Sequence, residues 1–150
     1  MNFPSDWFTG PTPESHALVK NVAFSNAKFD EYYIGGHSKF SMENVSFTNI
    51  TSDHRTPYLI RLKEIITDHN FLRNISLTDS NVGFMSFFRF RPPMIEFSYT
   101  VPHLYMRNLT PKHPVFEVDW RLNNNLTFYD LVIEDSILDE PLIWTRQDSD

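Results

Sequence analysis

Cysteine is absent from the 150 residues and glycine occurs only four times. The first absence excludes disulfides and thiolate metal sites, although it does not fix the compartment, because a chain with an adequate core manages without bridges. The second leaves no phosphate-cradling loop: Gly35-Gly36 is followed by neither glycine-rich spacing nor Lys-Ser/Thr, and reads as a turn. Basic residues are also short, 13 Lys and Arg against 19 Asp and Glu, for a net charge of -6. Phosphate binding relies on clustered Lys and Arg, so nucleic acid is excluded as a partner. No apolar run approaches the roughly 18 residues of a membrane-spanning helix. Met1 to Gly10 has neither the basic start nor the apolar run of a signal peptide. The chain is therefore expected either in the cytosol or an organelle, as an assembly subunit, or outside the cell as a piece of a longer secreted precursor. The six His stand apart at 16, 37, 54, 69, 103 and 113, with no His-x-His or His-x-x-x-His pair, so no metal and no cofactor is expected.

What is abundant is apolar bulk. Fourteen Phe and a hydrophobic fraction of 41% belong to a folded chain with a core of large side chains. Self-similarity organises them. An Asn or Asp recurs at Asn21, Asn44, Asn74, Asn108 and Asp130, with apolar residues two before (Val19, Met42, Leu72, Met106, Phe128) and one after (Val22, Val45, Ile75, Leu109, Leu131). Three after come Phe24, Phe47, Leu77, Pro111 and Ile133, and five after come Asn26, Asn49, Asp79, His113 and Asp135, so only the fourth copy deviates. Side chains one and three after an anchor share a strand face, because alternation has period two. An apolar residue two before it joins that face only if the chain bends at the anchor. Asn, and nearly as well Asp, enters the left-handed region at small cost and suits such a corner. Stacked corners would hydrogen-bond along a column and satisfy amides that burial would otherwise penalise.

The anchors lie 23, 30, 34 and 22 residues apart, enough for coils of two or three short strands. Second strands are expected at Pro57 to Lys63, Gly83 to Phe90, Pro114 to Trp120 and Pro141 to Trp144, rich in Ile, Val, Phe and Trp and opened by Pro or Gly. The apolar-x-Asn-apolar-x-apolar turn, over about Leu18 to Trp144, resembles the pectin-lyase-like superfamily. That resemblance implies an all-β, right-handed parallel β-helix of about five rungs over residues 17–144, with an irregular lead-in or cap at 1–16 and a polar tail at 145–150. Two other folds share part of the pattern. A leucine-rich repeat matches the apolar spacing, but its Asn belongs six after the anchor, where Ala27, Ile50, Ser80 and Ser136 stand. An antiparallel sandwich also has regularly spaced short strands.

A repeat without convergent polar chemistry reads as a non-catalytic structural or interaction segment of a β-helical protein, part of a larger surface protein or multi-subunit assembly. Its partner would be another protein or the remainder of a longer chain, with Phe84, Phe87, Phe88 and Phe90 as a candidate docking face, since both sides of that strand carry aromatics. The alternative is a carbohydrate-binding or polysaccharide-cleaving β-helix. An enzyme of the kind it resembles implies carboxylates and an Arg in one outer groove. Glu117 and Asp119, about 7 Å apart on one strand face, are the candidate pair, set against the plainer reading of a solvated charged face. Asn44, Asn49, Asn74, Asn108 and Asn125 match the N-glycosylation pattern. Four of these are repeat positions wanted for geometry, which leaves Asn125, in a polar loop beside Asn123 and Asn124, as the best acceptor in a secreted chain.

Overall fold

The computed structural model describes residues 16–29, 39–52, 58–63, 72–88, 97–119 and 124–146. These form nine strands and no helix: β1 His16–Phe29, β2 Lys39–Ser52, β3 Tyr58–Lys63, β4 Leu72–Thr78, β5 Gly83–Phe88, β6 Phe97–Arg107, β7 Phe116–Asp119, β8 Asn124–Glu134 and β9 Ile143–Arg146. One sheet has the order β1-β2-β4-β6-β8 and the other β3-β5-β7-β9. Every pairing is parallel. From β2 onward the described strands alternate between the two sheets and advance one place in each per circuit, while β1 and β2 are neighbours in the first sheet, an all-β arrangement consistent with a β-solenoid. Parallel pairing excludes the antiparallel sandwich, and the segments between corners are strands where a leucine-rich repeat would place helices.

The first sheet bends twice. Among the described residues, ten non-Gly residues have φ between 49° and 57°, and they fall into two columns. Asn21, Asn44, Asn74, His103 and Asp130 form the first column; Asn26, Asn49, Asp79, Asn108 and Asp135 form the second. Residues three apart, such as Met42 and Val45 or Phe47 and Ile50, would face opposite sides of a flat strand. A left-handed residue between them turns both inward, and all four are at most 2% exposed.

The expected register of the fourth coil is corrected here. Ile75 pairs with Leu104, so His103 stands level with Asn74, and Thr78 pairs with Arg107, so Asn108 stands level with Asp79. Asn108 is a second-column corner and does not stack on Asn74. Shifted by five residues, the fourth copy loses its exceptions: Val101, Leu104 and Met106 take the inward positions and all are fully buried. Pro102 hid this, because proline in a central strand is disfavoured. It is accommodated because β4–β6 pairing starts beyond it, at Ile75↔Leu104.

Inward residues stack level upon level. Val22, Val45, Ile75, Leu104 and Leu131 make one column, and Phe24, Phe47, Leu77, Met106 and Ile133 another. The Phe24 and Phe47 rings lie parallel at 5.1 Å. The second sheet packs against the same core: Phe116 of β7 meets Phe84 of β5 at 5.8 Å and Phe128 of β8 at 4.8 Å. Each fully buried side chain of the middle levels contributes about 1.5–3 kcal/mol over exposure. Gly83 is required by close approach, since a Cβ there would lie 2.7 Å from both the Pro114 carbonyl oxygen and the Tyr58 ring.

Candidate functional site: stacked corners and an outer polar face

Left-handed corners aim their side chains outward and along the stack. Asn44 Nδ2 donates to Asn21 Oδ1 at 2.9 Å and Asn74 Nδ2 to Asn44 Oδ1 at 2.8 Å. In the second column Asn49 Nδ2 donates to Asn26 Oδ1 and Asn108 Nδ2 to Asp79 Oδ1, both at 2.8 Å. His103 Nδ1 lies 2.9 Å from Asp130 Oδ2 and continues the first column without an Asn. His shares the enrichment of Asn and Asp at positive φ. These amides are exposed, against the expectation of burial, so the corner geometry and the exposed hydrogen bonds are what favour Asn here.

A second polar device lies just inside the corners, and sequence reading missed it. Ser80 Oγ donates to the Thr78 carbonyl at 2.7 Å and accepts from the Ile50 amide at 3.0 Å. Two coils on, Ser136 Oγ donates to the Glu134 carbonyl at 2.8 Å and accepts from the Leu109 amide at 3.0 Å. Ser at the same offset in both coils was the available signal.

On the outer face, the residues between the two columns change character along the stack. Ser46, Thr48, Ser76 and Thr78 give way to Tyr105, Arg107, Val132 and Glu134. Thr78, Asp79, Tyr105, Arg107, Asn108 and Asp135 line a cleft of about 460 Å³. Arg107 Nε donates to Asp135 Oδ2 at 3.1 Å, and Tyr105 OH to Glu134 Oε2 at 3.1 Å. The hydrogen bond to Asp135, with the nearby Tyr105 oxygen second, raises the Arg107 pKa above its ordinary value. Partial desolvation, with the Glu134 hydrogen bond second, pushes the Tyr105 phenol up. At the first coils Glu43 bridges Lys20 Nζ at 2.8 Å and Arg73 Nε at 3.3 Å. The Lys20 hydrogen bond, reinforced by the Arg73 charge, outweighs desolvation and lowers the Glu43 carboxyl below its ordinary value.

The residues singled out from sequence are dispersed. Glu117 is half-buried in β7, level with Ser86 and Trp144, and Asp119 is level with Arg146. They belong to the four-stranded sheet, whereas the cleft lies on the five-stranded one, so the structure does not unite these two acids with Arg107. Phe84 is fully buried and packs on Phe116, which corrects its reading as a docking residue. Its strand lies between β3 and β7, and Met85 on the opposite side is equally buried, so both sides of the strand are covered at Phe84 and Met85. The side chains of Phe87 and Phe88, and all of Phe90, lie outside the described residues. Of the acceptor sequons, Asn44, Asn49, Asn74 and Asn108 each use Nδ2 in a column. Asn125 is not in a loop: it belongs to β8, level with Ser98, because β8 extends back to Asn124. Among the described residues no three His, Asp or Glu side chains gather as a metal site, and no helix is long and apolar enough to cross a membrane. Comparisons with protein families, curated proteins and solved structures find no match to this chain.

Proposed function

We infer that the chain is a non-catalytic segment of a right-handed parallel β-helix of the pectin-lyase-like kind, serving as a structural or interaction element within a larger surface protein or a multi-subunit assembly. The observation that carries this reading is the state of the outermost coils. Phe24, Phe128, Leu131 and Ile133 are only partly buried at positions whose equivalents in the middle coils are sealed. A solenoid needs capping or continuation at such surfaces. Right-handed winding follows the general preference of parallel crossovers. Intact mass and native size of the protein from its natural source test the reading. A longer polypeptide or a stable complex is expected; a free, unmodified 17.7 kDa monomer refutes it.

The Tyr105–Arg107–Asp135 cleft favours a second reading, a carbohydrate-binding or carbohydrate-cleaving β-helix. A half-exposed phenol ring beside a guanidinium and carboxylates offers stacking and hydrogen bonding to a sugar. Polysaccharide affinity electrophoresis decides it: retardation should disappear in Tyr105→Ala and Arg107→Ala, and retention of binding in both refutes it. A Glu117→Gln, Asp119→Asn double variant that keeps full activity on every polysaccharide the parent cleaves removes those acids from any cleavage role.

A further inference from the structure

The first and last described coils are complementary edges of one stack. Among the described residues no strand pairs with the outer side of β1 or of β8. The corner columns have a polarity. At the β1 edge, Asn21 Oδ1 and Asn26 Oδ1 already accept from the next coil, which leaves their Nδ2 donors facing away from the stack. At the β8 edge the same two columns end in Asp130 and Asp135, carboxylates with no N–H to donate, each with Oδ2 already engaged by the preceding coil, His103 and Arg107, and with Oδ1 as the second acceptor. Donor and acceptor pairs have the same five-residue spacing, 21 to 26 and 130 to 135.

Two further observations agree. Placing Asn21 level with Asp130 sets Val22 on Leu131 and Phe24 on Ile133, which joins partly buried inward residues at each end into the sealed columns of the middle. Charge is also complementary: β1 carries Lys20, which also bridges Glu43 of the next coil, and Lys28 and no acid, whereas the last coil carries Asp130, Glu134, Asp135, Asp139 and Glu140 against one base, Arg146. Head-to-tail contact pairs unlike charges, and tail-to-tail contact would pair like ones.

Resting on the β-helix reading above, we propose that a second copy of this chain docks head-to-tail, its β1 extending the five-stranded sheet beyond β8, with Asn21 and Asn26 donating to Asp130 and Asp135 of the neighbouring copy. The contact is heterologous and propagates as a linear stack. Both corner columns and the interior then run uninterrupted across the junction.

Because the chain has no cysteine, register-specific cross-linking tests this directly. Ser25 and Glu134 are both exposed and occupy the same place in their coils, four after the first corner. In the proposed pairing they are cross-strand neighbours about 4.8 Å apart, within disulfide reach. Ser25→Cys protein is mixed with Glu134→Cys protein under mild oxidation and followed on non-reducing gels and by mass spectrometry. Mixed dimers should form about tenfold faster than dimers of either variant alone, as expected for a local effective concentration well above the bulk. High salt should reduce that excess. A Tyr129→Cys partner, five residues out of register, should lose it. Equal rates in the mixture and in the separate pools overturn the proposal, as does no mixed dimer when both variants keep the parental melting temperature. In that case these edges belong to another chain segment or partner. Such a failure leaves the β-helix segment reading standing, since that reading falls separately on the native size of the natural protein.

Discussion

Replacing Ser80 by Ala removes a single oxygen that joins two coils. Ser80 is 3% exposed, and its hydroxyl bridges the Thr78 carbonyl and the Ile50 amide. Ile50 is itself fully buried, so without the oxygen its N–H has neither a protein acceptor nor ready access to water. Leaving a buried donor unsatisfied costs about 1–3 kcal/mol, and the lost bond to the Thr78 carbonyl adds a smaller amount. The expected loss is roughly 2–3 kcal/mol, a fall in Tm of roughly 4–12 °C for a chain of this size. Ser136→Ala is the internal control: the same bridge reaches the Leu109 amide, and although Leu109 is as buried as Ile50, the hydroxyl sits on a half-exposed residue of the outermost coil, where water can take its place beside that amide. It should cost less than about half as much, since solvation offsets the orphaned donor. Urea unfolding gives both values, and amide hydrogen exchange of Ile50 reports the bridge locally. Equal losses for the two variants, or unchanged Ile50 exchange in Ser80→Ala, would refute the assignment of this hydroxyl as a coil-to-coil fastener.

Other substitutions probe the remaining features. Gly83→Ala forces a methyl against the Pro114 carbonyl oxygen and the Tyr58 ring, and because one obstacle is backbone the urea midpoint should fall by the equivalent of about 1–3 kcal/mol. A double-mutant cycle on Asp79 and Asn108 should show a coupling of about 0.5–1.5 kcal/mol, whereas Asn74 with Asn108 should be additive; the reverse would restore the register read from sequence. Glu43 has a lowered carboxyl pKa in the fold, so its contribution to stability is fully present above the unfolded value, about 4.3, and is lost as pH falls through the lower folded value. Glu43→Gln should therefore flatten stability against pH below that point and leave its slope near neutrality unchanged, which pH-dependent thermal melts will show.

Legibility from sequence followed the range of the interactions involved. The corners at Asn21, Asn44, Asn74 and Asp130 were readable because a left-handed residue between inward apolar neighbours is a local requirement, written within a few residues of the chain. The fourth corner was misread because it carries His103 after a proline, while Asn108, which also stands at a corner, is the more familiar residue type. Val101, Leu104 and Met106 held the correct pattern, but their level in the stack is set by pairing with β4 and β8. The second column was visible as a polar position five after the anchor, yet its role as a second bend depends on Ile50 and Leu109 turning inward beyond it. The outer cleft was not legible, since Asp79, Tyr105 and Asp135 come from three coils.

By itself the sequence determined that this chain is all-β, that its coils turn on Asn and Asp, and which residues beside those corners face the interior. These properties depend on backbone preference and on apolar spacing over a few residues. Only the tertiary structure decided the register of the fourth coil, the burial of Phe84, the Ser80 and Ser136 bridges, and the opposed donor and acceptor edges. Each of these depends on which residues from distant parts of the chain reach the same level, and stacking of whole coils selects that by matching core side chains and strand hydrogen bonds together.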